Sequence, residues 1–314
     1  MSLRIGVLGS ADSPYTRQLL LAAQSLGCRA DVLAFPQLQA WIGPGKLPAQ
    51  PSTEGGPIYS HQQLVNVSDQ AYPENSLDAI LVRTMPLGSL EQVIFRMDCL
   101  QVWQSLGAEV INSPRCLETS IDKWLTLHRL VKAGILVPPT VACQTRDQAL
   151  SAFEELGRDV LVKPLFGGEG RGIIRLQDRD LAWRTFSTLQ QLGQVLYVQP
   201  MIPNFGYDIR VLWIGQQAFS IQRWASHGDY RTNVSQGGVA EVHQLTDQQL
   251  ELSRQAARSV DGSVVGVDLL PAKDGQLYVL EVNAVPGWKA VSACLKVDIA
   301  REMIQYVQQQ VANK

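Results

Sequence analysis

Short apolar runs and helix-spaced apolar residues take turns through the first third of the chain. Residues 3–9 form an apolar run ending in glycine, and residues 14–26 place Leu19, Leu20, Ala23 and Leu26 at helical spacing. A second run follows at 30–35, which predicts a β-α-β opening. No GxGxxG motif follows the first run, so a dinucleotide-binding reading lacks its fingerprint. Pro36, Pro44, Pro48, Pro51 and Pro57, with Gly43, Gly45, Gly55 and Gly56, predict a loop or insertion over 36–60. A buried strand at 77–83, a helix at 90–106 and a strand at 109–111 complete a first α/β domain, residues 1–115.

Past residue 115 the order of elements changes. Helices are predicted over 120–133, 146–156 and 179–192, with strands at 160–163, 173–176 and 195–199. The last third is strand-rich, with runs at 208–214, 218–223, 263–271 and 277–283 and helices at 246–259 and 297–312. The last helix sets Val297, Ala300, Met303, Ile304, Val307 and Val311 on one face.

Composition narrows the class. In 314 residues, 46% are hydrophobic and 18% charged, as in a soluble globular enzyme, and the length predicts two or three subdomains. A net charge of −2 predicts neither a nucleic-acid footprint nor an anionic-membrane surface. The absence of a spanning apolar run, and an N-terminus that runs straight into a strand pattern, predict a cytoplasmic protein. Cys28, Cys99, Cys116, Cys143 and Cys294 show no CxxC spacing and read as reduced core thiols, and the histidines lack zinc-ligand spacing.

The sharpest chemical feature is a pair of C-terminal strands. Asp268 lies in one, and Glu281 and Asn283 lie in the other. Asp274-Gly275 between them reads as a two-residue hairpin turn, which sets Lys273 opposite Gln276 and Asp268 opposite Glu281. Asn283 then shares the face of Glu281. Two facing carboxylates call for a cation, and three hard oxygen ligands suit Mg²⁺. In that register Pro271 falls at a hydrogen-bonding position it cannot serve, so a bulged turn is the alternative. The bland reading is two solvent-facing acids.

Three further groups stand out. Lys163 ends an apolar strand, and Gly167, Gly168, Gly170, Arg171 and Gly172 follow, a loop able to offer backbone N–H groups to phosphates. No GK[ST] closes it, so it is not a Walker A loop, and a ligand-free glycine hairpin is the plain alternative. Thr119 and Asp122 resemble a capping box, placing Lys123 in a first helical turn, where a phosphate would offset the unfavourable macrodipole. Asp208 and Arg210 share a strand face, with Arg223 and Arg231 further on; surface ion pairs are the alternative to anion binding.

Taken in order, these segments resemble the ATP-grasp superfamily, most closely its RimK-like glutamate ligases. The likeness runs from about Asn112 to the C-terminus through Lys123, Lys163, Gly167–Gly172, Gln199–Ile202, Asp208, Arg210, Arg231–Asn233, Asp268, Glu281 and Asn283. It implies an α/β (α+β) ATP-grasp fold. Two α/β subdomains, 116–200 with a glycine-rich lid and 201–314 with a Mg-binding hairpin, would clasp ATP behind a Rossmann-like pre-ATP-grasp domain. Lys123 and Lys163 would bind phosphates under the glycine loop. Gln199, Pro200, Met201 and Ile202 would form the adenine hinge, and Asp208, Arg231 and Asn233 would bind nucleotide. Asp268, Glu281 and Asn283 would hold Mg²⁺ or Mn²⁺. Where the family usually has an acid in the hinge, this chain has Pro200, which keeps its C=O while Met201 keeps an N–H.

The implied reaction is an ATP-dependent amide synthesis through an acyl phosphate. Arg210 would stabilise the oxyanion and Arg223 would grip a substrate carboxylate. The expected partners are L-glutamate as amine and a carboxylate acceptor, either a cofactor such as tetrahydromethanopterin or a protein C-terminus, with a homo-oligomer left open. The rival readings are a catalytically silent ATP-grasp module acting through a protein partner, and an NAD-linked oxidoreductase. The intact acid set argues against the first and the missing GxGxxG against the second.

Overall fold

The structure, a computed structural model, describes residues 2–44, 61–67, 77–168, 170–226, 232 and 237–314. The chain groups into two compact units, Met1–Pro114 with Asp298–Lys314, and Arg115–Val297. The final helix thus groups with the first unit, where a continuous segment 201–314 had been expected.

In the first unit, β1 (Arg4–Leu8), α1 (Pro14–Ser25), β2 (Arg29–Leu33), β3 (Leu38–Pro44), β4 (His61–Val67), β5 (Ala79–Val82), α2 (Leu90–Ser105) and β6 (Glu109–Ile111) follow in order. The apolar runs that predicted strands form a parallel sheet in the order β2-β1-β5-β6. β3 and β4 pair antiparallel from Leu38↔Val67 to Pro44↔His61. Part of the expected loop 36–60 is therefore strand: Pro36 precedes β3 and Pro44 ends it, so neither proline interrupts the ladder. The remainder, 45–60, lies outside the described residues.

The second unit runs α3 (Pro114–Ile121), α4 (Lys123–Lys132), β7 (Val141–Cys143), α5 (Arg146–Glu155), β8 (Val160–Lys163), β9 (Ile174–Leu176), α6 (Arg179–Gln191), β10 (Leu196–Pro200), β11 (Tyr207–Ile214), β12 (Gln217–Trp224), β13 (Val239–Val242), α7 (Asp247–Ser259), β14 (Val264–Pro271), β15 (Leu277–Asn283) and α8 (Lys289–Leu295). Two antiparallel sheets result, β7-β10-β8-β9 and β13-β12-β11-β14-β15. Phe153 of α5 and Phe186 of α6 join Val160, Val162 and Val198 in the buried core of the smaller sheet.

The expected helix 120–133 is two helices that meet at Asp122. Asp122, not Thr119, is the cap: its carboxylate accepts from the Leu125 N–H at 3.0 Å. Thr119 lies inside α3 and donates its hydroxyl back to the Arg115 carbonyl at 2.9 Å. α9 (Ile299–Ala312) packs against α1 and buries Ile299, Ala300, Met303, Ile304 and Val307. Val297 precedes it, because Asp298 caps the helix by accepting from the Arg301 N–H. Among the described residues no helix is long and apolar enough to cross a membrane.

Candidate active site

β14 and β15 meet through a three-residue turn, Lys273–Gly275, where a two-residue turn had been expected. Ala272 donates its N–H to the Gln276 carbonyl (2.9 Å), Gly275 donates to Ala272 (3.1 Å), and Gly275 sits at φ +83°. Pro271 then faces Leu277, and Leu270 faces Tyr278. Since antiparallel pairs alternate outward from Ala272–Gln276, Pro271 falls in a non-hydrogen-bonded pair, where its missing N–H costs no bond to β15. Continued unbroken, this register would set Asp268 opposite Leu280 and turn Glu281 to the other face. A β-bulge between Asp268 and Leu269 prevents that. It leaves Leu280 unpaired and restores Asp268↔Glu281, with Gly266↔Asn283 beyond.

The neighbouring strands extend this face. Arg210 of β11 pairs across with Asp268, and Asp208 pairs with Arg223 of β12. Asp208, Arg210, Arg223 and Asp268 are all buried. Arg223 donates from Nε and Nη2 to the two oxygens of Asp208 at 2.7 and 2.5 Å, and its Nη2 lies 2.9 Å from Asp268 Oδ2. Arg210 Nη2 donates to Asp268 Oδ2 at 2.9 Å, and its Nε is in ion contact with Oδ1. Thr232 donates its hydroxyl to Asp208 at 2.6 Å. Gly266 makes the layer fit, since a Cβ there would lie 2.5 Å from Arg210 Nη1.

Charge therefore alternates along a chain of ion contacts, from Asp208 to Arg223, Asp268, Arg210 and Glu281. Among the described residues of this layer three carboxylates face two guanidiniums, and Glu281 has the loosest pairing, with Arg210 Nη2 at 3.9 Å. Burial opposes the charge of Asp268, but Arg210 and Arg223 outweigh it and hold the carboxyl below its ordinary range. Burial and Asp268 push Glu281 the other way, above its ordinary value, against the pull of Arg210, Lys123 and Lys163. For Arg223, Asp268 and Asp208 overcome burial and strengthen its hold on the proton.

Glu281 also acts on two lysines, Lys163 of the smaller sheet and Lys123 of α4. Lys163, at the end of β8, donates to Gln199 Oε1 at 2.6 Å. Burial brings its ammonium down to about 8, with Glu281 opposing the shift and Lys123 adding to it. Lys123, the first residue of α4, donates to the carbonyls of Gly167 (2.6 Å) and Leu165 (3.4 Å), and burial lowers it too. Gly167, Gly170 and Gly172 take φ of +119°, +71° and +74°, a backbone only glycine adopts freely. Gly168 lies between them and accepts from the Arg171 N–H at 3.3 Å.

The hinge differs from expectation in one respect. Met201 gives its N–H to the Asp159 carbonyl at 2.8 Å, so that donor is already used. Asp159 is itself held by Arg175 Nε and Nη2 at 2.7 and 2.6 Å. Pro200, paired with Val160, ends β10 where the alternation turns its nitrogen away from β8, so proline is tolerated there. The Ile202 carbonyl accepts from Asn204 Nδ2 at 3.0 Å. Arg231 and Asn233 lie outside the described residues.

The hairpin suits a hard divalent cation. Glu281 is only loosely paired, with Arg210 Nη2 at 3.9 Å, whereas Asp268 Oδ1 is buried in ion contact with Arg210 Nε. Asn283 Oδ1 accepts from the Val285 N–H (2.9 Å) and retains a second lone pair. Among the described residues no group of three His, Cys, Asp or Glu side chains is gathered for a metal; the hairpin offers two carboxylates and an amide.

The fold and site define an ATP-grasp ligase. The chain superposes with a TM-score of 0.70 and 20% identity on the solved structure of ATP-grasp ligase PsnB complexed with minimal precursor, Mg and ADP, covering 98% of each chain. The model of the RimK-like ATP-grasp domain matches residues 120–307, and the chain belongs to that family. It is 31% identical over 263 residues to tetrahydromethanopterin:alpha-L-glutamate ligase of Methanosarcina acetivorans, covering 74% of this chain and 81% of the relative. It is also 31% identical over 218 residues to ribosomal protein bS6–L-glutamate ligase of Escherichia coli O7:K1, covering 68% and 72%. The protein is an enzyme of the ligase class.

Proposed function

We propose that this ligase couples the amine of L-glutamate to an acceptor carboxylate, using MgATP to activate the carboxylate as an acyl phosphate. The observation that carries the proposal is the alternating row of charges that ends at the loosely paired Glu281, whose field also reaches Lys163 and Lys123. Glu281, Asn283 and Asp268 would hold Mg²⁺, which when bound neutralises phosphate charge. Lys163, Lys123 and the loop Gly167–Gly172 would receive the phosphates. Asp208, Arg231 and Asn233 are proposed on the nucleotide side, and the Pro200–Ile202 segment at the adenine, with the Met201 N–H excluded as a donor.

Arg210 lies between Asp268 and Glu281, and its Nη1 is the group proposed to stabilise the oxyanion formed when the amine attacks. Arg223 takes a different role from the one the sequence suggests. Buried and bridging Asp208 and Asp268, it positions Asp268 rather than gripping a substrate. Water must be excluded, because the acyl phosphate is otherwise hydrolysed.

The acceptor we propose is the carboxylate tail of a small-molecule cofactor; the longer match to the tetrahydromethanopterin-named relative supports it. The test is ADP release with MgATP and L-glutamate, with and without tetrahydromethanopterin-type acceptors and peptides ending in a free carboxylate, followed by mass spectrometry. A glutamate-sized mass gain on one acceptor, with ADP release requiring both substrates, is the expected result. Nucleotide binding without turnover on any acceptor would favour a silent module instead.

A further inference from the structure

Gln199 stands beside the hinge, but its side chain belongs to another part of the site. On β10, Tyr197 and Gln199 share a face, and Tyr197 pairs with Lys163 of β8. Gln199 is 2% exposed. Its Oε1 accepts from Lys163 Nζ at 2.6 Å, and its Nε2 donates to Thr140 Oγ1 at 2.8 Å and to the Tyr197 hydroxyl oxygen at 3.1 Å. An ammonium only donates, so the amide has one orientation. Thr140 in turn donates its hydroxyl to the Pro138 carbonyl at 2.8 Å. Hydrogen bonds therefore run one way, from Lys163 through Gln199 and Thr140 to a backbone acceptor that cannot rotate. Turning any member would leave a buried polar group unpaired.

We propose that Gln199 is a positioning residue that fixes the Lys163 ammonium for the phosphates of a nucleotide, rather than an adenine-contacting residue of the hinge. The proposal rests on Lys163 being a phosphate ligand. Among the described residues, one of the three N–H groups of Lys163 is spent on Gln199 and two are left for an anion. An amide suits the task better than an acid: it holds the ammonium by an accepting oxygen without cancelling its charge, whereas a carboxylate would compete with the phosphate.

The test is MgADP affinity by titration calorimetry for the wild type, Gln199→Met, Lys163→Met, the double variant and Gln199→Glu. Gln199→Met removes the acceptor at similar volume and weakens MgADP about tenfold, in line with the loss of a hydrogen bond to a charged group. Lys163→Met weakens it at least as much, and the double variant is no weaker than Lys163→Met alone. Gln199→Glu keeps an acceptor but neutralises the ammonium, and it also weakens MgADP. Wild-type affinity in Gln199→Met or Gln199→Glu, or additive losses in the double variant, overturn the positioning role. Unchanged affinity in Lys163→Met, or a wild type that does not bind MgADP, overturns instead the assignment of Lys163 on which the proposal rests.

Discussion

Asp268 and Glu281 face each other across β14 and β15, yet the protein treats them in opposite ways. Asp268 is neutralised by two buried arginines and held below its ordinary carboxyl value, while Glu281, with Arg210 3.9 Å away, is held above its own by burial and by Asp268. A lowered acid contributes stability that is present above its unfolded value and lost as pH falls through the folded one. A raised acid does the reverse, and its charge destabilises the protein as pH rises.

Neutralising the two acids should therefore change stability in opposite directions. Asp268→Asn leaves Arg210 and Arg223 short of a counter-charge and costs about 3–5 kcal/mol, the penalty for breaking a buried ion pair. Glu281→Gln removes a repulsion and raises the melting midpoint of the ligand-free protein at neutral pH. Both abolish turnover. Calorimetric melts with and without Mg²⁺ check this, and destabilisation by Glu281→Gln would contradict the charge assignment.

Gly266→Ala should impair chemistry more than nucleotide binding. The added methyl would sit 2.5 Å from Arg210 Nη1, so the guanidinium must move off the sheet. The expected result is a fall in kcat of about 10²–10³-fold, of the order seen when one oxyanion donor is lost, with MgADP affinity unchanged. Steady-state kinetics beside calorimetry separate the two effects; equal kcat in variant and wild type would remove Arg210 from the chemistry.

Arg223→Lys keeps the charge but not the fork that reaches both Asp208 and Asp268. It should fold, melt at a lower temperature than the wild type, and need more Mg²⁺ for half-maximal ADP release. If Arg223 gripped a substrate carboxylate, KM for glutamate or acceptor would rise while the Mg²⁺ requirement stayed fixed.

Lys163→Met should relieve a pH-dependent penalty in the empty protein, set against the fixed cost of leaving the Gln199 oxygen unpaired. The ammonium lies at about 8 against an ordinary 10.5, so the unfolded chain binds the proton more tightly. Wild-type stability then rises with pH between those values. The relief that Lys163→Met brings is accordingly largest below pH 8 and vanishes toward pH 10.5, while the cost at Gln199 does not change with pH. Melting curves across that range check it, and a gain independent of pH would show that burial of the ammonium is not its source.

Much of the site was legible in local pattern. The strand carrying Lys163, the glycines after it and the two strands that carry Asp268 and Glu281 all follow from short-range periodicity. What escaped was set by neighbours distant in sequence. The use of the Met201 N–H depends on Asp159 lying beside it in the sheet, and the closure of Arg223 on two acids depends on β12, β11 and β14 lying side by side. The break at Asp122 escaped because a continuous apolar face conceals a cap inside it. Even the facing acids were reached by an incorrect count: the turn is one residue longer than expected, and the bulge at Leu280 cancels the error.

That cancellation splits the hairpin into two registers. Beyond Leu280 the pairing follows the turn, and before it the pairing follows the acids. The tip is fastened to the segment that follows the hinge, since Lys273 donates its N–H to the Pro203 carbonyl at 2.8 Å and Ala272 bridges Asn204. A change of length at Lys273–Gly275 is therefore felt on the hinge side, while the bulge keeps its register apart from that of Glu281.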